Sequence, residues 1–480
     1  MIDSIPGPVP LKRTIPPLGI KDLPEAPSFR KLIGPSFIIL GLGLGSGEVV
    51  LWPHMVGHYG LGVVWGIVLG VTMQFFINME VERYALVNGE SVFVGFARLL
   101  KFLPIWFILT TFLGFGWPGI GLYGASLLSH AFQLESPNTI AIILFLIIGC
   151  ILSVGKVLYR TVETLQKYLI GVGVPLVLLL TLYLVEWSDL AALTKGIVGI
   201  GVSVEGDSYF FLPNGIAMGT FLGALAYAGA GGNLNLAQSC YVRDKGYGMG
   251  IYAEKITGLM RGGGAKKFTL TGNTFPCTPE NMEHFRLWWK AINREHLLIF
   301  WGLGLFTMLM LSLLSYGTTF GEAGTAQGLL FVMEEAAAIG RMTAPIVGTI
   351  FLLITGIMLC ATQLTVLDST SRIMTENVFL LRKNSTGNIS RVYYIILWLQ
   401  ILFGITVFSI GFDQPLTLIV LGAIINAFSM LVYSVIILWL NNSALARELR
   451  PHFFRNVVMG VVILFLAFFC IITAISSLSS

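Results

Sequence analysis

The chain alternates long apolar runs with short polar joints. Eleven runs approach or exceed the ~20 residues that an α-helix needs to cross a bilayer core. They cover about 33–53, 60–86, 104–131, 137–155, 163–185, 215–240, 295–315, 343–371, 392–411, 414–440 and 456–476. This pattern predicts an all-α integral membrane protein of about eleven transmembrane helices, with the lipid bilayer as its first partner. Residues 1–30 are polar and proline-rich and lack the apolar core of a signal peptide. They read as a cytosolic tail, part of it docked. The remaining organisation is 31–240 for spans 1 to 6, 241–294 for a cytosolic insert, 295–440 for spans 7 to 10, and 441–480 for a peripheral span 11.

Two of the runs are not uniform. Span 1 carries Gly41, Gly43, Gly45, Ser46 and Gly47, and then Glu48, a charge at mid-membrane depth. A buried charge there costs roughly 3 kcal/mol on insertion scales. Glycine costs about 1 kcal/mol against alanine in a helix interior. Span 6 repeats the peculiarity with Tyr227, Ala228, Gly229, Ala230, Gly231, Gly232 and Asn233, followed by Asn235 and Gln238. Irregular backbone at membrane depth is tolerated where it faces protein or a cavity. Two interrupted segments five spans apart point to an inverted repeat of spans 1–5 and 6–10, with a binding site at the breaks. Close helix–helix packing of small residues is the plainer reading of either run by itself.

Charge sets the orientation. Of the 29 Lys and Arg residues, 27 fall on the tail and on alternate loops or adjoining span ends when the N-terminus is cytoplasmic; Lys195 and Arg341 are the exceptions. That asymmetry orients the chain with its N-terminus inside, and the expected location is the cell's inner membrane. The basic residues then need no nucleic-acid partner. Five scattered cysteines give neither a disulfide framework nor a metal spacing. No nucleophile–base arrangement, zinc spacing or pair of catalytic carboxylates appears, and Gly262–Lys267 lacks the spacing of a phosphate loop. The chain reads as a non-enzyme that needs no cofactor, and nothing in it fixes an oligomeric state.

Several polar groups could carry chemistry. Glu48 would lie in the first turn after the break, where free backbone amides favour a carboxylate. It could ligate a metal ion, accept a coupling proton, pair with an amine on a substrate, or cap the half-helix. Thr362, Gln363 and Asp368 in span 8 could couple or gate, with Arg372 as the i+4 partner of Asp368. Asn426 in span 10 could line a cavity. Glu80, Glu82 and Arg83 read as interfacial or as an inner gate, and Arg160 and Glu163 open span 5. His54 and His58, at the outer end of span 1, could serve a proton path. Glu334 and Glu335 fall on a helical run from Thr325 to Ile339, as a solvated face or a cation-attracting vestibule. Pro279 to His296 reads as an amphipathic cytosolic helix.

Gly34-Pro35-Ser36-Phe37 through Gly45-Ser46-Gly47-Glu48 resembles the first span of the Nramp divalent-metal transporters, where a Gly-Pro pair leads into an Asp-Pro-Gly-Asn motif at the same spacing. Similar stretches are Arg83 to Leu99, Tyr159 to Glu163, and Gly223 to Ser239. The resemblance implies the LeuT-type fold with broken helices 1 and 6, alternating access, and proton-coupled uptake of manganese or ferrous iron. The departures fall in the site. Gly45, Ser46 and Glu48 stand where the family has Asp, Pro and Asn, and Tyr227-Ala228-Gly229 stands where it has Met-Pro-His. The soft thioether is gone, and oxygen donors suit harder ions.

The sequence thus predicts a divergent Nramp-related secondary transporter. Its substrate is a small ion or solute held by Glu48, Gly45, Ser46, Gly47, Tyr227, Ala228, Gly229 and Asn233. The cargo expected is a hard divalent metal such as magnesium or manganese, with Glu48 as the charged ligand and protons as the coupling ion. An amino-acid or amine transporter on the same fold, and a non-transporting membrane sensor, are the alternatives.

Overall fold

The computed structural model describes residues 15–28, 32, 34–154, 158–254, 270–321, 329–382, 388–411 and 415–479. The glycine-rich Gly262–Lys267 segment lies outside them. Among the described residues, ten helical runs are long and apolar enough to cross a membrane. The predicted span 6 is absent from that set because it is two short helices, Met218–Ala226 and Leu234–Lys245. Counting it gives the eleven crossings expected.

Span 1 starts on Pro35, which suits the first helical position because its missing N–H would have no intrahelical partner. The α-helix Pro35–Gly43 then stops. Gly45 leaves helical geometry at φ −99 and ψ −92, and the chain resumes as a π-helix over Ser46–Leu51 before the α-helix Trp52–Tyr59. In span 6 the interruption is wider. Gly229, Gly231 and Gly232 sit at φ 151, 75 and 47. A side chain at any of these angles would be strained, which is why three glycines occupy this stretch.

The two interruptions touch. A Cβ on Gly43 would lie 3.1 Å from Gly229 Cα, and one on Gly47 would overlap the Tyr227 carbonyl oxygen. Span 3 has an interruption that the apolar pattern hid: Leu103–Phe115 and Gly119–Ala131 meet at Gly116-Trp117-Pro118. Pro118 cannot donate the helical N–H, and Gly116 ends the first half.

Other elements differ from the expectation. Pro279–His296 is not a separate helix. It runs through a π segment, Leu297–Leu303, into Gly304–Thr319 as one 41-residue run. At 1.5 Å per residue it is ~60 Å long, about twice a bilayer core. Span 8 continues to Leu381, ten residues past the predicted end. A helix, Trp187–Ile197, and a hairpin of Ile200–Val202 with Ser208–Phe210 cover one end of the bundle. At the other end, which carries most Lys and Arg (the basic end), Gly19–Ile20 pairs in parallel with Asn273–Thr274. The tail is further held by hydrogen bonds from Leu23 N to Asn281 Oδ1 at 2.9 Å and from Trp288 Nε1 to Pro24 O at 2.7 Å.

Because a methyl group at Gly47 must displace backbone rather than a flexible side chain, Gly47→Ala should lower thermal stability. The expected cost is about 3 kcal/mol, the upper part of the overpacking range. An unchanged melting temperature of the purified variant in detergent would show that the two interruptions do not pack as described.

Candidate functional site

The joint between spans 1 and 6 leaves helix-end carbonyls and amides without helical partners, and side chains from other spans meet them. Gln74 of span 2 bridges the two halves of span 6. Its Nε2 donates to Ala226 O at 3.0 Å, and its Oε1 accepts from Gly231 N at 3.1 Å. Thr362 donates to Gly41 O at 3.0 Å, tying span 8 to the last turn before the span 1 break, and Gly45 packs on the same threonine. Gln363 Oε1 accepts from Gly121 N at 3.0 Å, next to the span 3 interruption. Asn426 Nδ2 donates to Tyr227 Oη at 3.0 Å and to Gly114 O at 3.2 Å. Asn233 donates to Thr110 and Thr111 of span 3 at 2.8 and 3.0 Å.

The structure therefore brings together Gly45, Gly47, Tyr227, Ala228, Gly229, Thr362, Gln363 and Asn426, with Asn233 at the start of the second half of span 6. Ser46 is the first residue of the π segment. Glu48 is fully buried in that segment. One of its oxygens, Oε2, meets the Thr307 hydroxyl of span 7 at 2.8 Å, while Oε1 has no hydrogen-bond partner. Thr307 Oγ1 also lies 3.0 Å from two carbonyls, Leu303 O and Gly304 O. Its single proton can go to one of three acceptors, so the hydroxyl can serve either an ionised or a neutral Glu48.

A narrow cleft, with room for about one water molecule, lies beside the joint, lined by Gly114, Phe115, Trp117, Tyr227, Gln363 and Val366 among others. Among the described residues no charged side chain lines it, and Glu48 does not contribute to it. The Tyr227 ring packs 5.8 Å from Phe115. Among the described residues, no group of three or more His, Cys, Asp or Glu side chains is placed to hold a metal ion.

Asp368 stands apart from the joint. Arg372 Nε reaches both its oxygens at 3.0 Å, Tyr241 and Tyr393 donate at 2.9 and 2.7 Å, and Arg372 also pairs with Asp244. Arg243 joins Asp244 to Glu376 at 3.0 and 2.6 Å. The i+4 partner predicted for Asp368 is present, inside a buried ionic network that the sequence did not reveal. Glu80, Glu82 and Arg83 are buried rather than interfacial. Glu80 binds Arg83 at 2.8 Å and Arg455 at 3.2 Å. Glu163 binds Lys167 and Lys245 at 2.6 and 2.7 Å. His54 and His58 lie on the helix Trp52–Tyr59, ring centroids 4.3 Å apart, and pack on Phe331.

Of the two acids on the helix Leu329–Met342, Glu334 is exposed and Glu335 is buried beside Tyr123. Both together are therefore not a solvated face. Burial pushes the Glu335 carboxyl up to about 8. Residues that sequence reasoning missed are Gln74, Thr307, Thr110 and Thr111; the only signal was a polar side chain within an apolar run.

No protein-family model matches the sequence, and no curated protein matches it either. The fold is similar to that of a manganese transporter from Eremococcus coleocola, solved as a mutant, with a TM-score of 0.65 at 13% identity over 95% of this chain and 89% of that one. It is also similar to MhsT, solved in complex with L-phenylalanine, at 0.53 and 13% identity over 92% and 98% of the two chains. Mhp1, a nucleobase-cation-symport-1 family transporter solved closed with bromovinylhydantoin bound, gives 0.53 and 11% over 88% and 80%. The chain thus has the all-α LeuT-type membrane fold, as the resemblance to Nramp transporters implies.

Two stability outcomes follow from the buried acids. Asp368→Asn leaves Arg372 and the two tyrosines around a neutral group, and breaking a buried pair costs roughly 3–5 kcal/mol. Its melting temperature should fall sharply, and a wild-type value would remove the network from the account. For Glu335, the folded state holds a proton between 4.5, the ordinary value, and about 8, while the unfolded state has lost it. Stability then falls as pH rises through that window and levels off above it. Glu335→Gln should remove this slope, so its melting temperature should gain on wild type from pH 5 to pH 8. A constant difference across that range would contradict the assignment.

Proposed function

We propose that this protein is a secondary transporter that carries a hard divalent cation, such as magnesium or manganese, past the joint of spans 1 and 6. The observation that carries the reading is Glu48, a fully buried carboxyl in an interrupted span with no Lys or Arg partner among the described residues and one oxygen left bare. A buried carboxylate at membrane depth is costly unless something neutralises it, and a substrate cation or a proton can do so. The ligands at hand are a carboxylate, the Thr307 hydroxyl and helix-end carbonyls, all oxygens, which suit hard ions. Span 1 before the break is only nine residues long. A half-helix that short, joined to the rest by Leu44 and Gly45, can move by itself, as alternating access requires. Protons are the coupling ion in this reading, with Glu48 exchanging one for the cation. The bias of Lys and Arg supports a cytoplasmic N-terminus, and an inner-membrane location belongs to the same reading.

The uncharged cleft favours a second reading. Tyr227, Trp117, Phe115 and Gln363 have the chemistry to line a site for a small organic solute, although the cleft must widen to admit one. Uptake into proteoliposomes separates the two. Magnesium or manganese should be taken up, and Glu48→Gln should cut kcat/KM roughly tenfold or more, the effect of ~1.4 kcal/mol. If instead Glu48→Gln transports metal like wild type and amino acids raise the melting temperature, the cation assignment is wrong.

A further inference from the structure

Ten acidic side chains are buried among the described residues, and six of them form an ion pair with Lys or Arg: Glu80, Glu90, Glu163, Asp244, Asp368 and Glu376. Glu48 and Glu335 have no such partner. Neither do Glu82 and Glu295, which lie in one cluster at the basic end.

The cluster is a continuous chain of contacts. Gln238 donates to Glu82 Oε1 at 2.6 Å. His296 Nδ1 lies 3.2 Å from the same oxygen and 2.8 Å from Ser36 Oγ. Ser36 donates in turn to Glu295, whose Oε1 accepts from Gly34 N at 3.2 Å. All five side chains are at most 2% exposed. The His296 ring is stacked between Phe75 and Phe300, at 5.6 and 4.7 Å. Glu82 Oε2, Gln238 Oε1 and His296 Nε2 have no hydrogen-bond partner.

The cations around the cluster are committed elsewhere. Lys245 binds Glu163. Arg455 binds Glu80 and, at 2.6 Å, Asn293. The remaining titratable groups facing it, Tyr159 and Tyr247, add no positive charge. With both carboxylates ionised and a neutral histidine, two negative charges would share one buried site with no Lys or Arg among the described residues bonded to either, Lys245 and Arg455 acting on them only from a distance. Two carboxylates that cannot both ionise share a proton.

We propose that Glu82, His296, Ser36 and Glu295 form a proton-binding site at the basic end of the bundle, whose protonation loosens the first half of span 1 from span 7. The site acts on span 1 directly, because Gly34 and Ser36 are the residues that Glu295 holds. Losing the proton leaves both acids ionised, and the bonds that Gly34 N and Ser36 donate to Glu295 become charge-assisted and stronger, so the first half of span 1 is held more firmly. The site does not depend on which solute is carried.

The test uses the full chain in lipid nanodiscs. A pH-difference infrared spectrum should show a protonated-carboxyl band that disappears as pH rises. Glu82→Gln and Glu295→Gln should each diminish it, and the double variant should abolish the part that remains in Glu48→Gln/Glu335→Gln protein. Hydrogen exchange, corrected for its intrinsic pH dependence, should show residues 34–43 gaining protection over the same pH range in wild type and not in Glu295→Gln. Glutamine copies the neutral acid, so these variants keep the hydrogen-bonded shape. Ser36→Ala keeps both acids and should move the titration without removing the band. An unchanged spectrum in Glu82→Gln/Glu295→Gln, or exchange at 34–43 with wild-type pH dependence in Glu295→Gln, would overturn the proposal. So would a band that sodium suppresses at constant pH and choline does not, because the site would then hold a metal cation.

Discussion

A carboxylate inside a bilayer protein must be matched by a cation, by several hydrogen-bond donors, or by a proton. The buried acids sort by how they meet that demand. Asp368, Asp244 and Glu376 are tied to Arg372 and Arg243 in one network, with Tyr241 and Tyr393 donating to the remaining lone pairs. Glu80 and Glu163 each hold two basic side chains. These closed groups lie at the basic end, where spans 2, 5, 6 and 8 converge. Their geometry fixes how those spans meet, and removing one member would strand its partner's charge. The acids without Lys or Arg partners are arranged differently. They stand at the span 1 interruption, beneath the first half of span 1, and on the helix Leu329–Met342. Each lies next to an element that is short or interrupted.

The interrupted helices face the same demand with backbone groups. A broken span in lipid would leave several amides and carbonyls bare. Here side chains from neighbouring spans take them up: Gln74 at both edges of the span 6 gap, Thr362 at Gly41, Gln363 at Gly121, and Asn426 at Gly114 and the Tyr227 hydroxyl. None of these donors and acceptors belongs to the segment it serves. The interruptions in spans 1, 3 and 6 are thus held by spans 2, 8 and 10. The same residues occupy both the support of the joint and the wall of the cleft, since Tyr227 and Gln363 do both. A change that opens the cleft must therefore exchange hydrogen bonds rather than merely separate apolar surfaces.

What could be read from the sequence follows from how local each signal is. The number of crossings and the breaks in spans 1 and 6 are written in runs of apolar residues and glycines, and both are local. The Asp368–Arg372 pair is an i,i+4 relation and equally visible. Asp244, Tyr241 and Tyr393 complete that pair from other spans, and no periodicity connects them. Gln74 is a single amide among Met73, Phe75 and Phe76, and its role needs the position of a gap some 150 residues away. Glu334 and Glu335 were indistinguishable on a helical run because a period shows that a face exists, not which neighbour covers it. The span 3 interruption was overlooked for a different reason: Gly116-Trp117-Pro118 sits in a run whose hydrophobicity hardly changes. Pro118 gave the correct local signal, and the length of the run outweighed it.

The two kinds of buried acid impose different mechanics on one scaffold. Ion pairs at the basic end resist separation, because each parted charge would enter a low dielectric without its counterion. A carboxyl that accepts from neutral donors loosens its hold when it takes up a proton. The first half of span 1 is held by hydrogen bonds from its first residues to Glu295 and by Thr362 at its last turn, with no Lys or Arg ion pair through residues 34–43. Spans 2 and 8, by contrast, carry Arg83, Glu80, Asp368 and Arg372 in ionic contacts. The chain therefore places its weakest electrostatic tethers on its shortest membrane element. Motion at this joint would cost hydrogen bonds that water can replace, while the surrounding spans stay fixed by charges that water cannot reach.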